Sequence, residues 1–541
     1  MLNRLSSYPI LTILVVVLIM LVFTIDTLPV SIMEARNFIT AREMLLDDNW
    51  LLTTMNGEPR YQKPPLPTWI VALFGGAFGI KSLFAIRLPS ILMIAITGIY
   101  TYRLSYKLVE DKIHSLRNAL IVVTSFYVIF ITIEAPWDIY THGFMLIALY
   151  HLFPILKLES ITVKHAIPFI FFLGCSILSK GPVSLYVLFL SFLIAYGVVY
   201  RYKKNFKLYS LIFVLIILGL AAGGWWYYYV RVADPETFTA IATKETSNWS
   251  SYNVRPFYYY WSFFTQSGLW TIPAFISLLY PYMKSRVSHL KAYRFSFFWT
   301  LAAFVLLSII PEKKSRYLMP VLIPLAINIG FYIDYIIRSF KSMTKKYDSW
   351  PVYFNFGLIG LIAIAFPASI FILKLDLSGA LLISYIIASL LLLTIGVLIF
   401  RSLYQKQIVH SFYLLIAFMV TIGCFALPLN TTQIQDGYRP VSEIKQDGNL
   451  QNMNVYHLDY VAPEVIWNYG ETIKRIKIDG VLDLPTDSEF LLLTNKEHPA
   501  DYDDLKGYTI EELGNYDLNT AQPDTRSHRA RLVNTLYLVK K

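Results

Sequence analysis

Charge is scarce in this chain. Only 15% of its 541 residues are Asp, Glu, Lys or Arg, against about 25% in soluble globular proteins. That deficit excludes an ordinary soluble domain and points to a chain embedded in a bilayer. Cysteine is almost absent. Cys175 and Cys424 both lie in apolar runs, which excludes a disulfide framework or a cysteine-based zinc site. No small-residue cleavage site follows the first apolar run, residues 10–25, although Arg4 precedes it. It is therefore expected to be a retained anchor and not a removed signal peptide. Acids are outnumbered by bases, giving a formal net charge of +11. In a membrane protein such an excess belongs to short cytoplasmic loops, so no nucleic-acid partner is inferred.

What fills the chain instead is hydrophobic: 56% of residues, with 16% aromatic. Apolar stretches can be marked at 9–30, 66–80, 85–107, 117–134, 138–157, 164–179, 182–200, 208–231, 261–283, 295–310, 318–340, 354–374, 380–400 and 409–428. A span needs about 20 residues, and about 17 is the lower limit. The stretch 66–80 is short, follows Pro64 and Pro65, and holds Gly75, Gly76 and Gly79. It is expected to be re-entrant or surface-lying, which leaves thirteen spans. With the N-terminus cytoplasmic, the loops 103–117, 157–164, 201–207, 284–294, 338–346 and 401–406 fall inside, each with at least two basic residues, as the positive-inside rule requires. Residues 32–67, 134–138, 179–180, 232–260 and 311–317 and the polar tail then fall outside. So do Lys63, Lys180, Arg255, Lys313, Lys314 and Arg316, for which anionic lipid phosphate is the natural partner.

Residues 32–67 form the long polar interruption around which the chain is organised. Its first half alternates acids and bases at helical spacing, with Glu34, Arg36, Arg42, Glu43, Asp47 and Asp48; its second half is turn chemistry, Asn56-Gly57, Glu58-Pro59 and Lys63-Pro64-Pro65. Glu34 stands just outside the first span and Asp138 just outside the fourth. A pair of carboxylates at one membrane face, opposite a cluster of cations, suits sugar transfer from a lipid phosphate to a hydroxyl. One carboxylate accepts the acceptor proton, and the phosphate leaving group needs charge stabilisation more than a proton donor. Each residue also has a plainer reading. Glu34 can pair with Arg36 or Arg42, Asp138 can be an N-cap, and His142, one turn further on, can be structural. Lys63 can be an interface anchor, and the tyrosine-rich segments 225–229 and 258–261 can be aromatic belts. The run 311–317, with Lys313, Lys314 and Arg316 close together, is harder to explain structurally because like charges repel.

From about residue 430 the chain turns polar. β-type runs at 454–458, 473–478, 489–494 and 534–539, with helical patterns at 462–469 and 500–505, predict a small α/β domain over 431–541. It holds no metal or nucleophile constellation and is expected to cap the membrane site or meet the acceptor.

The string EARNFITAREM at 34–44 and NGEPRYQKPPLPTW at 56–69 resembles the first outer loop of GT-C glycosyltransferases, closest to the lipid A aminoarabinose transferase and bacterial protein O-mannosyltransferase-like (family 39) group. AIRLPS at 85–90, Trp137-Asp138, SKGP at 179–182, Arg255-Pro256-Phe257 and KKSRYLMP at 313–320 agree in order. The resemblance covers about residues 10–330. It implies a GT-C fold over residues 1–430, with residues 31–67 as the catalytic loop. The implied activity is inverting transfer of a sugar from a polyprenyl-phosphate donor, undecaprenyl phosphate in bacteria, at the periplasmic face of the inner membrane. The acceptor is a lipid, protein or polysaccharide. Glu34 falls at the family's acidic position, where many relatives have Asp-Glu and this chain has Met33-Glu34; with that departure two assignments of the base stay open, Glu34 alone or Asp138 taking more of the role. Lys63, Lys180, Arg255, Lys313, Arg316 and Tyr317 fall where the family's motifs surround the lipid phosphate, and Arg36 and His142 are further candidates. No cofactor is expected, and no metal is obviously required. Two other classes remain: a lipid-linked sugar flippase, against which stand the absence of related halves and the gathering of charge at one face, and a non-catalytic membrane subunit.

Overall fold

The computed structural model describes residues 7–134, 136–478 and 481–541. Arg4, ahead of the first apolar run, and Ala135 of the expected outer turn 134–138 lie outside the described residues. The chain divides into two compact units. One takes the residues through Thr27, Tyr61–Pro67 and Arg87–Pro428; the other takes Leu28–Arg60, Thr68–Ile86 and Leu429–Lys541.

The first unit is a multi-pass membrane bundle. Among the described residues nine helices are long and apolar enough to cross a bilayer, or ten if the bent pair Lys112–Val123 and Phe126–Thr132 is one span. Three shorter apolar helices, Pro9–Val22, Leu66–Phe78 and Leu185–Val199, accompany them in the chain. The expected thirteen spans are therefore not all continuous helices. The clearest departure is 261–283, which breaks into a 3₁₀ segment, Phe263–Trp270, a short helix, Thr271–Ser277, and a last turn, Tyr280–Met283. Gly268 at φ 63° interrupts the helical backbone, a conformation glycine adopts without steric cost, and Pro273 and Pro281 follow. The stretch 117–134 bends by 55°. The 182–200 stretch enters through a π turn at Leu185–Phe189.

Burial sorts the helices by position. The apolar window within Ser315–Ser342 is 94% buried, whereas those of Phe206–Ala233, Lys346–Ile372 and Gly379–Tyr404 are 22%, 28% and 33% buried. A helix apolar on every side but buried on one stripe only is suited to hydrocarbon on its remaining faces. Trp137, Trp226, Trp270 and Trp299 are among the largest fully buried side chains. The indoles of Trp270 and Trp299 donate to Thr124 Oγ1 and the Leu188 carbonyl, as a buried N–H requires.

The segment 232–260, expected as an outer loop, contains the helix Pro235–Ser251. Asp234 caps it through Oδ1 and the Thr237 amide at 3.3 Å, and Pro235 is its first residue. That is a strong start signal.

The second unit contains the helix Ile32–Leu46, a hairpin of β1 (Thr54–Met55) and β2 (Glu58–Pro59), and a sheet. Asn56 and Gly57 turn the hairpin with φ of 60° and 78°, the positive pair that tight hairpins need. The later strands are β3 (Val455–His457), β4 (Lys474–Arg475), β5 (Lys477–Ile478), β6 (Val481–Leu482), β7 (Glu489–Thr494), β8 (Thr509–Asp517) and β9 (Val533–Lys540). Five of them form a mixed sheet in the order β4-β3-β7-β9-β8, while β5 and β6 pair separately. Residues 500–505, read as helical, are 3₁₀ turns. β8 has no strand signature in the sequence because TIEELGNYD is polar and holds Gly514. It is an edge strand whose pairing with β9 supplies its stability.

Candidate active site

In the membrane bundle the sequence candidates Asp138, His142, Lys180 and Tyr317 come together. Asp138 is the third residue of the helix Pro136–Leu158, not its N-cap. Its side chain is 2% exposed. Lys180 ends the helix Val163–Lys180 and its ammonium contacts Asp138 Oδ1 directly. His142, one turn along from Asp138, brings Nε2 to 3.8 Å from the same oxygen, and its Nδ1 lies 3.1 Å from Ser184 Oγ. The Tyr317 ring centroid is 4.9 Å from the Lys180 ammonium. The Lys180 ammonium, on a side chain 10% exposed, thus has a carboxylate and an aromatic ring beside it. Gly181, at φ 77°, lets the chain turn beside Tyr227; a Cβ there would stand 2.8 Å from the Tyr227 hydroxyl.

The run 311–317 is tied to 253–255. Val254 and Glu312 form a bridge, the Lys313 amide donates to the Asn253 carbonyl at 3.1 Å, and the Arg255 amide donates to the Pro311 carbonyl at 3.2 Å. Arg255 is exposed. The three cations of this run do not simply repel, because Glu312 is among them. Lys314 donates to Glu312 Oε1 at 2.5 Å and the Tyr317 hydroxyl donates to the same oxygen at 3.1 Å. Lys313 is buried and donates to the Ile310 carbonyl at 2.5 Å, and burial lowers its pKa from the usual lysine value. Arg316 lies 5.9 Å from the Tyr317 ring. Lys63 pairs with Glu245 at 3.5 Å on the partly exposed surface.

Glu312, Glu245 and Ser184 are neighbours of the candidate residues that sequence reasoning passes over. Tyr61 donates to Asp234 at 3.0 Å, and burial together with that bond pushes its hydroxyl pKa up to about 12. Glu312 has a signal in the sequence, since a lone acid inside a basic run is its nearest counter-charge.

In the second unit Glu34 is fully buried and closes a capping box. Ser31 Oγ accepts from the Glu34 amide at 3.2 Å, and a Glu34 carboxylate oxygen accepts from the Ser31 amide at 3.0 Å. Arg36 lies against the Tyr460 hydroxyl, and its carbonyl accepts from Arg60 at 2.8 Å. Glu43 receives Thr54 Oγ1 and the Asn56 amide at 2.5 and 2.6 Å, which ties the helix to the hairpin turn. No group of three or more His, Cys, Asp or Glu that could hold a metal is found among the described residues.

Residues 62–226 match the family described as dolichyl-phosphate-mannose-protein mannosyltransferase. A protein of Aquifex aeolicus is 26% identical over 54% of this chain and 58% of its own length. An undecaprenyl phosphate-alpha-4-amino-4-deoxy-L-arabinose arabinosyl transferase of Proteus mirabilis is 25% identical over 62% of this chain and 60% of its own. The chain thus spans less than two thirds of the length of these relatives. Its fold is similar to that of ArnT from Cupriavidus metallidurans, with TM-scores of 0.65 for the apo state and 0.62 for the form bound to undecaprenyl phosphate, at 15% and 14% identity. These likenesses cover 99% of this chain and 98% and 97% of those chains. The fold is GT-C.

Proposed function

We propose that this GT-C chain is an inverting glycosyltransferase that moves a sugar from a polyprenyl-phosphate donor to a lipid, protein or glycan acceptor. The reaction takes place at the periplasmic face of a bacterial inner membrane. The observation that carries the reading is the buried Lys180 ammonium held beside Asp138 and Tyr317. It lies in a unit that also contains Lys63, Arg255, Lys313 and Arg316. The similarity to an enzyme named for an undecaprenyl-phosphate sugar supports the donor class.

In the reaction the acceptor oxygen attacks the anomeric carbon, the bond from that carbon to the donor phosphate breaks, and polyprenyl phosphate leaves with the bonding pair. The phosphate becomes more negative as the bond breaks, so cations fixed before the reaction stabilise the transition state more than the ground state. Lys180 is the candidate for that role, with Arg316 and Lys63 as further phosphate contacts. The acceptor proton passes to a carboxylate. Asp138 orients Lys180 and is one candidate base. Glu34 is the other, and its support is the resemblance of residues 34–44, since its geometry is that of a helix cap.

Purified chain incubated with radiolabelled undecaprenyl-phosphate sugars and a membrane extract tests the reading. Label passing from lipid to product supports it. Movement of the lipid across vesicles without any transfer would make the chain a flippase instead.

A further inference from the structure

The ends of the helices remote from Asp138 and Lys180 carry a second cluster. Lys157 lies nineteen residues beyond Asp138 in one helix, and Lys164 sixteen before Lys180 in the next. At 1.5 Å per residue these separations are ~28 and ~24 Å, close to the thickness of a bilayer core.

Three helices contribute to the cluster. Arg103 and Lys107 come from the end of Leu83–Val109, His151 and Lys157 from the end of Pro136–Leu158, and Lys164 and His165 from the start of Val163–Lys180. His151 Nδ1 and His165 Nδ1 face each other at 3.0 Å. Lys107 is within electrostatic reach of Lys157, Lys164 and both histidines, and Arg103 of His151. Lys107 also lies 4.9 Å from the Tyr150 ring and Arg103 5.1 Å from the Tyr100 ring. Among the described residues none of the four cations has a carboxylate at ion-pair distance. Glu159, in the turn between the two later helices, is taken by Lys203 at 2.5 Å. The positive-inside rule asks for basic residues in a loop; it does not ask that they converge from three helices with no counter-charge. Such a gathering is repulsive until an anion arrives.

Two features identify the anion. The helix Val163–Lys180 begins without a side-chain cap, so the positive end of its dipole is open to an anion. Lys164, Ile167 and Phe171 lie three and four residues apart and so share one helix face, on which Ile167 is 61% and Phe171 60% exposed. A free phosphate has no use for that apolar stripe. An acyl chain below a phosphate headgroup does.

We propose that this cluster binds the phosphate headgroup of an anionic membrane lipid, with Lys107 and Lys164 as its principal contacts and the acyl chain along Ile167 and Phe171. The site is separate from the Asp138 cluster and does not rest on the glycosyl-transfer reading.

Native mass spectrometry of the full chain in detergent tests it, with phosphatidylglycerol and phosphatidylcholine of the same acyl chains as probes. Wild type should retain phosphatidylglycerol in preference to phosphatidylcholine. Lys107→Gln/Lys164→Gln should lose affinity for phosphatidylglycerol about fivefold per lysine, while Lys107→Arg/Lys164→Arg should keep it. The conservative pair guards against a trivial folding defect. Equal retention of the two lipids, or unchanged binding in the glutamine pair, would overturn the site. Displacement of phosphatidylglycerol by millimolar inorganic phosphate would overturn the lipid as its ligand.

Discussion

Lys180 and Asp138, 42 residues apart in the chain, form a buried ion pair whose side chains are 10% and 2% exposed. Water satisfies neither charge fully, so each depends on the other. A buried pair stabilises little against an apolar replacement of both residues, yet losing one partner strands the other. Such an arrangement is costly to keep for stability alone.

Asp138→Asn should therefore do two things. It should abolish sugar transfer and lower stability by about 3 kcal/mol, because Lys180 is left buried and uncompensated. Asp138→Asn/Lys180→Met should regain thermal stability in detergent without regaining transfer. A double variant as unstable as the single one would mean that packing, and not the ion pair, sets the cost.

Glu34→Gln separates capping from catalysis. A glutamine can still accept from the Ser31 amide, so the melting temperature should hold, whereas transfer should fall about 10²- to 10⁴-fold with Glu34 as the base. Glu34→Ala should add about 1 kcal/mol of destabilisation from the lost cap. Full transfer by Glu34→Gln would leave Glu34 a helix cap only.

His457 makes the second unit sensitive to acid. It is 8% exposed and its Nδ1 lies 2.6 Å from the Asp459 carbonyl, and burial lowers its pKa below the usual 6.5. The folded imidazole stays neutral where the unfolded one takes a proton, so the unfolded state binds more protons just below that value. The stability is fully present above 6.5 and is lost as pH falls from there through the folded pKa. Thermal melts at about pH 7 and about pH 5 should show this loss in wild type, and a smaller one in His457→Asn. Identical slopes would remove His457 as the cause.

Asn56 ties the hairpin turn to Ile473, donating to its carbonyl at 2.7 Å and accepting from its amide at 2.8 Å. Asn56→Ala loses both bonds and a side chain suited to φ of 60°, a cost of about 2 kcal/mol. Hydrogen exchange should quicken at the hairpin amides and at Ile473. Unchanged protection at Ile473 would show that the turn is held from elsewhere.

Much of this architecture is written locally. The poverty of charge and the runs of apolar residues specify a membrane bundle, because each span must pair its own backbone in hydrocarbon. Asn56-Gly57 specifies a hairpin, since few residue pairs accept two positive φ values. β7 and β9 are legible in their aliphatic and aromatic runs. Signals of this kind act within a few residues, where covalent geometry and solvent decide the outcome. The partners of the charges are not written that way. Glu245 takes Lys63 from 182 residues away, Asp138 takes Lys180 from the neighbouring helix, and Glu34, which reads as a base, closes its own helix cap. Helix packing brings those groups together or keeps them apart, and Coulomb attraction in a buried setting then selects the pairs.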